Sequence, residues 1–217
     1  MGSLRRAVGR VSAGGLFEPL RLIRGILPGM LAASRLGKRF GGRWIFRGID
    51  LDLSAGQSLV ILGHNGSGKS TLLKLLAGLL GPSEGEVRHR GRLGVSTLEM
   101  SVYPHLSVRE HLELSARMRG CPSRTDELLD KIGLADAADR HGSQLSTGMK
   151  SRLKLAIAIQ HEPEVLLLDE PGAALDEMGK ELIAEICREQ VSRGLLVIAT
   201  NDPAERRYAS FELELGR

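Results

Sequence analysis

The string Gly63-His64-Asn65-Gly66-Ser67-Gly68-Lys69-Ser70 constrains this chain more than any other stretch, because of what flanks it. Five residues of strand character, Ser58 to Leu62, run into it. An apolar-periodic helix candidate, Ser70 to Leu80, runs out of it and is closed by Gly81. A Gly-rich turn of the form GxxxxGK[ST] between a strand and a helix points successive backbone N–H groups inward at an anion, and the helix N-terminus adds its dipole. In such a turn Lys69 reaches the β- and γ-phosphates, Ser70 offers its hydroxyl to Mg²⁺, and Thr71 backs up the α- or β-phosphate. ATP with Mg²⁺ is the expected ligand pair.

A second element belongs with the first. Val165-Leu166-Leu167-Leu168 is an apolar run of buried-strand type that ends in Asp169-Glu170. Open α/β sheets bind ligands outside the carboxyl ends of their strands, so both acids are expected to face the phosphates. Asp169 is the candidate metal ligand, mostly through water, and Glu170 the group that orients and polarises an attacking water.

The rest of the chain reads as one α/β domain. Its 217 residues, 42% of them apolar, suit a single sizeable core. Strands are expected at Leu31–Leu36, Ile49–Leu53, Ser58–Leu62, Val165–Leu168 and Leu195–Ala199. Helices are expected near Val108–Met118, Thr125–Ile132 and Glu177–Ser192, the last stopped by Gly194. Short apolar strands between helices imply a mostly parallel sheet covered on both faces. With only 3% aromatic residues against 27 glycines, the composition favours backbone-lined nucleotide chemistry over aromatic recognition of bases or sugars.

Charge and cysteine content narrow the setting. Arg5, Arg6, Arg10, Arg21 and Arg24 against Glu18 account for the whole net charge of +4, so the chain from Met30 onward is neutral and no basic nucleic-acid face is expected. Residues 1–29 read as a basic N-terminal extension, either a disordered leader or the product of an upstream start, with Leu16–Leu27 as a short amphipathic stretch able to rest on anionic lipid. No apolar run approaches the roughly 18–20 residues that cross a bilayer. Cys121 and Cys187 lack CxxC spacing and are expected as free thiols in a reducing cytosol.

Gly63–Ser70 and Asp169-Glu170 alone would also suit a kinase, a GTPase or a motor. The deciding string is Gln144-Leu145-Ser146-Thr147-Gly148-Met149, upstream of the acidic pair, which resembles the LSGGQ signature of ABC ATPases with Thr147 and Met149 as variants. Ser146 is a suitable N-cap for an amphipathic helix through Arg152 and Leu155, which would turn its hydroxyl and the Gly148 N–H toward an anion. The resemblance runs from about Leu31 to the end of the chain. Glu170-Pro171-Gly172-Ala173-Ala174-Leu175-Asp176 is similar to the family's segment joining the catalytic Glu to the D-loop. Phe40 stands where the family stacks an aromatic ring on adenine, with Trp44 as the competing candidate. The run Tyr103 to Glu110 is similar to the start of the family's helical subdomain, which receives membrane subunits.

The resemblance implies a P-loop NTPase of ABC ATPase type: a RecA-like core with an antiparallel β subdomain and a helical subdomain at about 98–145, all within residues 30–217. It further implies that Ser146 and Gly148 close on the γ-phosphate held by a second subunit, in a homodimer or a pair with a related ATPase subunit. Permease subunits and a peripheral place on the cytoplasmic face of the membrane follow from it too. Two departures stand out. Leu98, with Glu99 beside it, occupies the family's Q-loop glutamine position, so either a one-residue shift recruits Glu99 or the contact is missing. Asn201 stands where the family has a histidine at the γ-phosphate; it can donate a hydrogen bond but cannot become cationic. The variant strings at Ser146–Ala156 and Thr200–Glu205 look like haem-exporter-type ATPases of cytochrome c maturation, which suggests export. A soluble, non-transport ABC ATPase and a regulatory module without hydrolysis are the alternatives.

Overall fold

A computed structural model describes residues 8–11, 29–173 and 175–216. Two sheets organise the chain. The larger has the strand order β1-β9-β4-β8-β7-β6, comprising β1 (Val8–Val11), β9 (Phe211–Leu215), β4 (Ser58–Leu62), β8 (Leu195–Thr200), β7 (Val165–Asp169) and β6 (Leu93–Ser96), and its paired strands run parallel. The smaller is antiparallel, β3-β2-β5, from β2 (Leu31–Phe40), β3 (Arg43–Leu53) and β5 (Glu84–His89).

Why the central strands read as unbroken apolar runs is plain from their packing. Side chains alternate across a strand, so a strand covered on both faces needs apolar residues at every position. Leu59 and Ile61 of β4, Val165 and Leu167 of β7, and Leu195 and Val197 of β8 enter one buried cluster with the antiparallel sheet and helix α1 (Lys69–Leu76). Their neighbours Val60, Leu62, Leu166, Leu168, Leu196 and Ile198 enter a second cluster with helices α2 (Val108–Arg119), α3 (Thr125–Lys131), α4 (Thr147–Ile159) and α5 (Glu177–Arg193). The antiparallel sheet and α1 thus cover one face and the remaining helices the other.

The predicted α/β architecture with an antiparallel and a helical part is what the chain adopts. Some boundaries differ. The helix after the Gly-rich turn stops at Leu76, short of Leu80: Gly78 takes φ +70°, and the N–H groups of Leu79 and Leu80 both fold back onto the Lys74 carbonyl. Strands β5, β6 and β9 escape the periodicity reading; β5, Glu84–His89, has charged residues on a strand with no buried position. Of the segment read as a leader, Val8–Val11 form a strand on the sheet edge; the amphipathic candidate Leu16–Leu27 lies outside the described residues. Both cysteines are free, and burial pushes the Cys187 thiol up to about 12.

Leu167 is fully buried in β7 between β6 and β8. Leu167→Ala should lower the unfolding free energy by about 2–5 kcal/mol, read from the midpoint of a urea titration; a loss under about 0.5 kcal/mol, the size of an ordinary surface change, would place Leu167 outside the core.

Candidate functional site

Register in the parallel sheet gathers the candidate residues. Leu62 pairs with Thr200 and Asp169 with Ala199, so β4, β7 and β8 end at one level on adjacent strands. One residue beyond those ends lie Gly63, Glu170 and Asn201. The turn from Gly63 to Gly68 needs its last glycine: Gly68 has φ +99°, and a Cβ there would lie 2.5 Å from Ile45 Cγ2. Only hydrogen lets the chain enter α1 against β3.

Lys69 opens α1 with its side chain folded back over the turn. It is 5% exposed, and its Nζ donates to the carbonyls of Gly63 (2.9 Å) and His64 (3.3 Å) while standing 3.4 Å from Glu170 Oε1. The next residue, Ser70, donates its hydroxyl to Asp169 Oδ1 at 2.9 Å. Burial raises the Asp169 pKa; the Ser70 hydrogen bond opposes that shift, the Glu170 charge adds to it, and Lys74 and Lys69 pull it down. A buried carboxylate short of positive charge, touching a hydroxyl, is a donor set that fits a hard divalent cation. No group of three or more His, Cys, Asp or Glu able to hold a metal occurs among the described residues. A Mg²⁺ ion here would therefore draw on Ser70 and Asp169, with phosphate and water completing its shell.

Glu170 follows the strand with φ +48°, a left-handed backbone unusual for a residue with a side chain. Its N–H donates to the Ala199 carbonyl at 2.8 Å, and its Oε2 accepts from the Asn201 N–H at 3.1 Å and the Thr200 hydroxyl at 3.4 Å. The Asn201 side-chain amide in turn donates to Asn65 Oδ1 at 3.1 Å, closing a ring of contacts across the Gly-rich turn. These groups border an open cleft of about 600 Å³.

Phe40, Asn65, Gly66, Gly68, Lys69 and Ser70 line that cleft, together with Thr71, Glu170 and Asn201. Gly63, His64 and Ser67 do not; the first two serve through their carbonyls, which hold Lys69. Phe40 is 51% exposed on the rim. The alternative aromatic, Trp44, is outside the lining and lies under the guanidinium groups of Arg39 and Arg47 at 5.7 and 4.8 Å. Leu98 and Glu99 take different places. Leu98 lines the cleft, whereas the Glu99 carboxylate is held by Lys74 Nζ at 2.6 Å. Ile45 and Ala173 are lining residues that sequence reasoning missed, being apolar and outside any phosphate motif.

Ser146 and Gly148 are not among the residues lining the cleft. Ser146 is exposed and caps α4, its hydroxyl oxygen accepting from the Met149 N–H at 3.2 Å. The hydroxyl hydrogen remains available to a group outside the subunit.

The family model described as "ABC transporter" matches residues 46–173. The chain is 40% identical over 202 residues to the aliphatic sulfonates import ATP-binding protein SsuB of Pseudomonas entomophila (strain L48), covering 87% of this chain and 72% of that one. To the linearmycin resistance ATP-binding protein LnrL of Bacillus subtilis (strain 168) it is 31% identical, over 79% of this chain and 61% of that one. Among solved structures, the dimeric post-hydrolysis state of the ATP-binding cassette MJ0796 with ADP and Pi superposes with a TM-score of 0.78 at 25% identity, covering 86% of this chain and 94% of that one.

Two outcomes follow from the site. Since burial raises the Asp169 pKa above its unfolded value, ionised Asp169 works against the ligand-free fold once the pH exceeds that raised pKa, and stability it lends in acid is lost on the way up. Asp169→Asn should therefore raise the ligand-free melting temperature by a few degrees at neutral pH, with the gain shrinking in acid, while Mg²⁺-dependent ATP hydrolysis is lost. A melting temperature lowered at neutral pH would contradict this. Asn201→His, which adds a group able to carry charge at the same strand end, should raise phosphate release by about ten-fold, below the full worth of one added charge-stabilising donor; an unaltered rate would place residue 201 outside the γ-phosphate's reach.

Proposed function

We propose, on the premise that this chain belongs to the ABC transporter family and is one of its ATPases, that it is the subunit that binds and hydrolyses Mg·ATP to drive transport through separate membrane subunits. The observation that carries this reading is the single cluster formed by Lys69, Glu170 and Asn201 around the Gly63–Gly68 turn, with the Ser146–Gly148 cap outside the same subunit's cleft.

The chemistry follows from those contacts. Phosphates settle against the backbone N–H groups of the turn, and adenine stacks on the exposed Phe40 ring at the rim. Lys69, already desolvated and aimed across the turn, exchanges its carbonyl and Glu170 contacts for phosphate oxygens. Glu170 is released from its ion pair while Oε2 stays bound to the Asn201 N–H, and so is poised to orient a water in line with the γ-phosphorus. Mg²⁺, when bound at Ser70 and Asp169, supplies charge neutralisation for the phosphates. The remaining negative charge needs donors from outside the subunit, which the Ser146 hydroxyl and Gly148 N–H of a second copy provide. Nucleotide thus stabilises the closed pair over the open one, and closure is the mechanical output.

In this reading separate permease subunits supply the membrane path and the chain sits at their cytoplasmic face, as the import ATP-binding relative suggests; no helix among the described residues is long and apolar enough to cross a membrane. Exposed Tyr103, just before α2, supports a partner at the helical side of the core. Cargo and direction are set by those partners. Export, of haem type or otherwise, rests on the Ser146–Ala156 and Thr200–Glu205 strings alone; a sulfonate importer among the relatives lends it no support.

Glu170→Gln should cut ATP turnover by about 10²–10⁴-fold and, with ATP bound, shift the chain from one copy to two in size-exclusion chromatography with light scattering. A variant that stays a single copy at saturating ATP would overturn the shared-site reading.

A further inference from the structure

One carboxyl beside the cleft has no part in the reaction as described. Glu205 lies in the 3₁₀ turn Pro203–Tyr208 that follows β8, and it is 5% exposed. Its Oε2 has no hydrogen-bond partner. Its Oε1 lies so close to Gly172 that a Cβ at that position would stand 2.6 Å from it. Burial is the largest influence on its pKa and raises it; Asp202 and Glu170 add to that, while the Thr200 hydroxyl and the Gly172 N–H act against it. Burying a half-satisfied carboxyl is unfavourable, so its place calls for a structural reason.

The reason lies two residues from Glu170. Glu170 holds a left-handed backbone (φ +48°) that its own side chain disfavours, so neighbouring contacts must hold it. On its N-terminal side the N–H to Ala199 carbonyl bond does this. On the other side the chain turns, with Ala173 N–H returning to the Glu170 carbonyl, and Gly172 at the middle of that turn rests against Glu205.

We propose that Glu205 is a positioning residue for Glu170: its buried carboxyl braces the Gly172 turn, and so keeps the Glu170 carboxylate aimed at the water it orients. This rests on the reading of Glu170 given above.

Steady-state ATPase assays on the full chain test it, with Glu205→Ala, Glu205→Gln, Gly172→Ala and the Gly172→Ala/Glu205→Ala pair. Glu205→Ala should lower kcat by about ten- to a hundred-fold, the scale on which a displaced catalytic group loses rate, with KM for ATP and the number of sites titrated by a fluorescent ATP analogue unchanged. Glu205→Gln, of the same shape, should recover most of that loss. Gly172 has no left-handed backbone, so Gly172→Ala disturbs only the contact with Glu205; it should also lower kcat, and the pair should lose no more than the worse single variant. A wild-type kcat in Glu205→Ala overturns the proposal. So does a loss that appears as fewer binding sites, or one that Glu205→Gln does not recover, or strictly additive losses in the pair. An inactive wild type, or a Glu170→Gln variant as fast as wild type in the same series, would instead remove the reading of Glu170 itself.

Discussion

The hydrogen-bond ladder that sets β4 and β7 against β8 is the constraint on which both the core and the site depend. It places Leu62 opposite Thr200 and Asp169 opposite Ala199. A slip of one residue on any of these strands would exchange its two faces, sending residues that pack on the antiparallel sheet toward the helices and the reverse. The same slip would move Gly63, Glu170 or Asn201 along the edge by a strand residue, about 3.3 Å, more than a hydrogen bond tolerates. Packing therefore enforces catalytic alignment: the apolar clusters on the two faces hold the register that the polar edge uses.

At that edge the protein concentrates charge that it does not balance within itself. Asp169 and Glu170 are adjacent carboxylates, the first nearly buried, and Lys69 is the cation that stands within ion-pair distance of the second. Each of these groups has lost hydration that the ligand-free fold only partly replaces with carbonyls, a hydroxyl and backbone N–H groups. In the proposed reading a magnesium triphosphate would supply what is missing on both sides, cation for Asp169 and anion for Lys69, so its binding would relieve a cost that folding leaves standing. Strained backbone at Glu170 belongs to the same account.

Much of this was legible in the chain itself, and the limits are physical. The Gly-rich turn could be read because an unbroken apolar run, Leu59–Leu62, leads into it and a stretch of helical periodicity beginning at Lys69 leads out, and the acidic pair because Val165–Leu168 is a strand apolar on both faces. Strand β5 could not, because every position from Glu84 to His89 meets solvent in part and no apolar alternation marks it. The surroundings of Leu98 and Glu99 were equally out of reach: Glu99 pairs with the Lys74 ammonium, 25 residues away in the chain. Nor does any local pattern announce that Glu170 has positive φ, or that a carboxyl from the turn after β8 lies against Gly172, since both are consequences of tertiary contact.

The position of the Ser146–Gly148 cap carries the last step. A helix N-terminus with an exposed serine hydroxyl and free backbone N–H groups is a donor set for an anion, yet it lines no part of its own subunit's cleft. The cleft, for its part, has one mobile-charge donor in Lys69 and an uncharged amide in Asn201, facing a γ-phosphate whose transition state spreads negative charge over three oxygens. Each half is thus short of what the other has, and a single copy can satisfy neither. In the proposed reading, two copies arranged head to tail satisfy both twice over, and the nucleotide is the joint by which one subunit would recognise the other.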